Sequence, residues 1–260
     1  MRFSLLTLSL LLFLSCDPEL LQNPLDEESS EYVEPETTIT ITDLDGSTLD
    51  TSSVTIIFEG NDLVIEYSYN LDSTGYSDWS SATSVTLDYL DEGLHTFSVK
   101  GRYASGVEDE TPATVSFTVD AIQGPALIFY PRRHIISSGS TATFQIKAYE
   151  VENLMLATIN IAYDNTLIEI LSVSQGDMLT GSGESVFIEE IATGSLTIYT
   201  MLLGGDTPSV SGTGVLAEIT VKGKALGTAS LSLEGTQVFK THEDIPISIQ
   251  ETVSGLVEIQ

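Results

Sequence analysis

From Thr37 onward the chain is written in period two. Short runs of β-branched and aromatic residues alternate with polar ones, and each run is stopped by Gly, Asp, Asn or Ser. Successive side chains on a strand point to opposite faces, so a run of this kind buries one face and wets the other. Thr37–Thr42, Val54–Phe58, Val64–Tyr69, Val85–Tyr89, His95–Val99 and Thr114–Val119 are such runs, and their spacing predicts a small antiparallel sandwich over 37–122. Gln123-Gly124-Pro125 breaks the pattern and marks a domain boundary. Beyond it, strands are predicted over 126–130, 141–149, 156–163, 167–173, 185–191, 195–203, 215–222, 228–234 and 253–259. Nine strands in a segment of this length need two packed sheets. Within 156–163, Ile159, Ile161 and Tyr163 share one face, and Thr158, Asn160 and Ala162 share the other. No segment sustains a helical period, so the fold class is all-β, with two β-sandwich domains.

The chain has 260 residues, 42% of them hydrophobic, which suffices for cores in both domains. Its formal net charge is −29, and after Arg2 no Lys or Arg occurs until Lys100. Nucleic acid is excluded as a partner, because affinity for phosphates needs clustered cations. An anionic membrane surface repels the folded part for the same reason.

The N-terminus reads as an export signal. Met1-Arg2 precedes the apolar run Phe3–Leu14, then Ser15 and Cys16, the single cysteine. The run is too short for a stable bilayer-spanning helix, which needs about 20 residues, and its order fits a secretory signal over 1–15. Phe13-Leu14-Ser15-Cys16 resembles the lipobox of bacterial lipoproteins, which implies lipidation at Cys16 and a protein exported and held at the membrane, surface-exposed or periplasmic, by its acyl anchor. An ordinary signal peptide with an incidental cysteine is the alternative. Residues 17–36 hold eight acids, no bases and three of the eight prolines. The stretch 16–36 is therefore expected to be a disordered acidic tether.

Two resemblances follow from the folded parts. Glu66-Tyr67-Ser68-Tyr69-Asn70-Leu71-Asp72, then Trp79-Ser80, then Leu90-Asp91-Glu92-Gly93-Leu94-His95-Thr96-Phe97 resemble immunoglobulin-like or fibronectin type III-like domains, in particular the three-tyrosine modules of extracytoplasmic sensors. Trp79 is read as packing on that core, with a sugar-stacking platform as the alternative. In the second half, Ala162–Leu179, with Tyr163-Asp164 at its head, and Ser211–Ala229 resemble the two ordered motifs of the cohesin domain. The likeness spans 126–260 and implies a nine-stranded cohesin-like jelly roll of the kind that docks calcium-loaded dockerins. The family's docking face is the sheet of its strands 8, 3, 6 and 5. That resemblance and strand alternation together give Thr158, Asn160, Thr197, Tyr199 and Met201 as outward binding candidates. The best-known dockerin binders carry an Asn-x-Asp pair leading the third strand. Here those places are Leu156 and Thr158, so either the partner differs or no dockerin is bound. Asp164 is expected to close an Asx-type turn, and Gly176, Gly212, Gly214 and Gly227 are expected at tight or left-handed turns.

No catalytic constellation is found. His95, His134 and His242 lack the spacing of a metal site, and no cofactor or metal is expected. His95 is read as a packed residue. Arg132-Arg133-His134 is read as a solvated turn, Thr42–Ser47 as a turn rather than a calcium loop, Glu108-Asp109-Glu110 as solvated loop acids, and Glu189-Glu190 as strand acids that point to opposite faces. The expected function is a non-catalytic, lipid-anchored binding protein whose ligand is a dockerin-bearing protein or a polysaccharide. The alternative is a structural or adhesive envelope protein whose sandwiches act as spacers.

Overall fold

The structure is a computed structural model that describes residues 23–25, 28–180, 184–204 and 209–260. The leader over 1–15, the lipidation site Cys16 and the first residues of the tether lie outside the described residues. Among the described residues the regular structure is all strand, as the alternation predicts, and none is helical. The chain divides into two compact units. The first takes the described part of Met1–Thr42 with Ile56–Val85 and Thr96–Val115; the second takes Asp43–Thr55, Thr86–His95 and Ser116–Gln260.

Among the described residues, seven strands precede Ile122: β1 (Thr37–Ile39), β2 (Thr48–Leu49), β3 (Val54–Gly60), β4 (Glu66–Leu71), β5 (Ser84–Leu87), β6 (Gly93–Arg102) and β7 (Ala113–Val119). They form one sheet of order β1-β3-β5 and another of order β2-β7-β6-β4. β2 has two residues and shows no alternation for a sequence reading to find. In the first unit the aromatic rings pack together, Phe58 tilted at 5.2 Å from Tyr67 and Tyr69 stacked at 5.7 Å from Phe97. Tyr103 is fully buried there. A buried phenol needs an acceptor, and its hydroxyl donates to the Val33 carbonyl at 2.8 Å. The Asn61 amide donates to the Glu34 carbonyl at 2.7 Å, and Pro35 is buried. The described end of the expected disordered tether is therefore ordered. Its acids face solvent, while its main chain satisfies polar groups that the core leaves over.

Twelve strands follow among the described residues: β8 (Ala126–Tyr130), β9 (Arg133–Ile136), β10 (Thr141–Leu154), β11 (Leu156–Tyr163), β12 (Ile168–Gln175), β13 (Glu184–Ala192), β14 (Ser195–Leu203), β15 (Val210–Gly223), β16 (Gly227–Leu233), β17 (Val238–Lys240), β18 (Glu251–Val253) and β19 (Gly255–Ile259). One sheet runs β12-β15-β10-β8-β18. The other runs β13-β14-β11-β16-β19-β9, with β17 paired to β11. Inward residues of both sheets, among them Phe144, Ile146, Ile159, Ile198, Ile219 and Val257, make one continuous core. The sequence reading of nine strands is corrected in three places. β9 and β17 are too short to show a period, and the run expected over 253–259 is two strands. β18 pairs β8 in one sheet, and β19 pairs β16 and β9 in the other.

Thr86–His95 falls in the second unit, where the two acids of the turn before β6 meet Arg132. Arg132 is 7% exposed, not solvated as expected. Its guanidinium donates to Glu92 Oε1 at 2.8 Å, and its N–H donates to Asp91 Oδ1 at 2.8 Å. Glu92 Oε2 also accepts the N–H groups of Ala121 and Ile122, at 3.0 and 3.3 Å. Arg133 pairs with Glu258 at 2.6 Å. The two arginines of a basic triplet that reads as a surface turn are thus neutralised by acids that the fold brings from far along the chain.

Candidate functional site

The seven-stranded sheet presents its outer face through β13, β14, β11 and β17. Burial alternates along all of β14 and along β11 as far as Ala162. Leu196, Ile198, Thr200 and Leu202 point inward with Ala157, Ile159 and Ile161. Every binding candidate read from the sequence, Thr158, Asn160, Thr197, Tyr199 and Met201, therefore stands on the outer face. Register brings them side by side: Asn160 faces Thr197, Thr158 faces Tyr199 and Leu156 faces Met201.

These residues are not equivalent. Asn160 and Thr197 are already engaged. The Asn160 amide donates to the Thr236 carbonyl at 2.8 Å, and its oxygen accepts from the Thr197 hydroxyl at 3.1 Å. Gln237 brackets the same residue, its Oε1 accepting from the Asn160 N–H at 2.8 Å and its Nε2 donating to the Asn160 carbonyl at 3.0 Å. Asn160 holds the loop between β16 and β17 against the sheet. The free part of the face is apolar. Tyr199 is 38% exposed, and beside it on β13 Ile188 is 50% exposed. Val186 lies opposite Met201, and Val238 on β17 lies opposite Thr158. Glu184 and Glu190 stand toward the two ends of this strip on β13. Ile188 and Tyr199 are adjacent exposed apolar side chains, flanked by half-buried Val186, Met201 and Val238, which makes this strip the candidate contact surface. Ile188 and Val186 were legible as the alternate positions of a predicted strand. Val238 was not, because β17 is three residues long.

Residues 136–259 match the family model described as the cohesin domain. The cohesin-matched region spans β9 to β19, and the face just described is its β13-β14-β11 surface. A relative of known description, Cellulose-binding protein A of Clostridium cellulovorans, is 30% identical over 129 residues, which is 48% of this chain and 7% of that protein. Among solved structures, the sixth cohesin of Acetivibrio cellulolyticus scaffoldin B, solved in complex with a Cel5 dockerin, is 22% identical and is matched over 53% of this chain and 100% of its own, with a TM-score of 0.47. A non-cellulosomal cohesin of the archaeon Archaeoglobus fulgidus is 16% identical over 52% of this chain and 90% of its own, with a TM-score of 0.44.

The remaining candidates resolve into structural roles. Asp164 makes the expected turn: its Oδ1 accepts the Thr166 N–H at 2.8 Å and the Thr166 hydroxyl at 2.6 Å. The hydroxyl first, and the N–H with it, hold the carboxyl below the usual carboxylate range. A depressed folded value contributes stability above the unfolded value of 3.8, and that contribution is lost as pH falls through the lower folded value. Asp164→Asn is therefore expected to lower the urea midpoint at neutral pH, and the gap to the parent protein should close on acidification below pH 3.8. Gly212 and Gly227 take positive φ as expected. Gly176 does not: a Cβ there would lie 2.2 Å from the Val215 carbonyl oxygen, so it is required by close approach of β15 rather than by a turn. His95 is buried, with its ring 5.7 Å from Phe117 and Nε2 at 2.8 Å from the Asp91 carbonyl. Asp109 is 2% exposed, against the expectation of solvated loop acids. Its Oδ1 accepts from the Thr111 N–H at 2.8 Å. No group of three or more His, Cys, Asp or Glu suited to a metal occurs among the described residues.

Proposed function

We propose that this chain is a non-catalytic display protein, exported and lipid-anchored through Cys16, whose cohesin-matched region binds the dockerin module of a partner protein. On this reading 16–36 is the tether, 37–122 an immunoglobulin-like spacer and 126–260 the binding domain. The observation that carries the reading is the family match over 136–259, laid on a sheet whose outer face leaves Ile188 and Tyr199 exposed. Leu156 and Thr158 replace the polar pair of the best-known dockerin binders. The strip from Val186 to Met201 therefore supplies affinity by apolar burial, with the polar rim reduced to Glu184 and Glu190.

The purified protein is to be titrated with a panel of recombinant dockerin modules, with calcium and with EDTA. Calcium-dependent binding of at least one module is expected, and Tyr199→Ala and Ile188→Asp should each weaken it by about 30-fold or more, the range of an interface hot spot. Failure to bind any module, or binding indifferent to both substitutions, overturns the reading and favours a spacer or adhesive role.

A further inference from the structure

The first unit carries a second surface, built from aromatic rings laid on cations. Along β6 the odd residues Phe97, Val99 and Gly101 are buried, and Lys100 and Arg102 project from the opposite side. Trp79, the only tryptophan, is half-buried. Its ring centre lies 4.4 Å from the Arg102 guanidinium carbon and 5.5 Å from Lys100 Nζ. The Tyr76 ring centre lies 4.7 Å from the same Nζ. Lys100 and Arg102 project from one side of β6, so the Trp79 and Tyr76 rings lie over one strip of that strand. Tyr76 is 42% exposed.

Both cations are neutralised beneath the rings. Arg102 makes two hydrogen bonds to Glu66 Oε2, at 2.6 and 2.8 Å, and Lys100 pairs with Glu108. Beside Tyr76 and Lys100 an open trough of about 830 Å³ continues past Glu108 to Glu110 and Pro112. It lacks the apolar enclosure that a small hydrophobic ligand needs. A polyanion is repelled by a chain of net charge −29 whose few cations here are already paired. What fits is an uncharged, hydroxyl-rich polymer, with apolar ring faces to stack and hydroxyls to meet paired acids and bases.

We propose that Tyr76 and Trp79 form a platform for a neutral polysaccharide, with the Lys100–Glu108 and Arg102–Glu66 pairs hydrogen-bonding its hydroxyls. This site is separate from the dockerin reading and stands or falls without it.

The test is affinity electrophoresis of the whole purified protein through native gels containing hydroxyethylcellulose, xyloglucan, glucomannan or polygalacturonate. Retardation is expected in at least one neutral gel and not in polygalacturonate. Tyr76→Ala and Trp79→Ala should each weaken it about tenfold, Trp79→Tyr should restore most of it, and Tyr199→Ala should leave it unchanged. Because Trp79 covers Arg102, its alanine variant can lose folded structure; Tyr76→Ala, at an exposed position, keeps the test decisive. The proposal is overturned by no retardation in any neutral gel, by retardation only in polygalacturonate, or by retardation that survives Tyr76→Ala.

Discussion

Glu92→Ala is expected to destabilise the second unit by about 3–5 kcal/mol, the cost of leaving a buried charge without its partner. The Arg132 side chain is 9% exposed and that of Glu92 13%, so neither charge has water to fall back on. The same substitution removes the acceptor of two main-chain N–H groups, at Ala121 and Ile122, and each buried donor left unpaired adds to the loss. Chemical denaturation followed at two wavelengths checks it, since the unit containing Arg132 should unfold at lower denaturant. Asp91 next to it is expected to behave oppositely. Burial raises its carboxyl above the ordinary 3.8, and the Arg132 N–H and charge only partly offset this. A raised folded value gives a contribution fully present below pH 3.8 and lost as pH rises through the folded value. At neutral pH the buried charge of Asp91 is therefore a cost. Asp91→Asn keeps the acceptor for Arg132 N–H and removes that charge, so its effect at pH 7 should be small beside that of Glu92→Ala. A Glu92→Ala variant as stable as the parent would show that Arg132 finds water or another acid.

Phe144→Ala is expected to cost about 3–5 kcal/mol, as for large-to-small changes in a packed core. Phe144 is fully buried on β10, with its ring 5.6 Å from Phe129 edge-on and 4.7 Å from His134. It also fills the place where the chain changes sheets. β18 ends at Val253 and β19 begins at Gly255 in the other sheet. At Gly255 a Cβ would stand 3.0 Å from both the Phe129 and Phe144 rings. The crossover has no side chain of its own there, and the two rings occupy that volume. Removing one ring leaves a cavity between the sheets that the backbone of Gly255 cannot fill. Phe144→Leu should cost clearly less, because it keeps most of the volume. Equal losses for the two variants would mean that the edge-on ring contacts, rather than the filled volume, hold the crossover.

The proposed binding face is largely legible in the sequence. Period two places Thr158, Asn160, Thr197, Tyr199 and Met201 on one side of their strands, and the fold keeps them there because Ile159, Ile161, Leu196 and Ile198 must be inside. The pattern is silent on use. Asn160 and Thr197 look as available as Tyr199 in sequence, yet their polar atoms are spent on each other and on Thr236 and Gln237. The apolar strip that remains includes Val238, whose strand is too short to betray a period.

The charged residues misled most. Arg132 reads as solvated and Asp109 as a loop acid; the structure buries both. A local pattern reports which side of a strand a residue takes, because that depends on its neighbours in the chain. It does not report who waits on that side. By itself the sequence determined that the chain is all-β, that its second half resembles the cohesin domain, and which residues of that half face outward. Only the tertiary structure decided which outward groups are free. Hydrogen-bond and ion-pair partners such as Glu92 for Arg132 and Thr236 for Asn160 are brought together across 40 and 76 residues of chain, a separation at which no sequence period carries information.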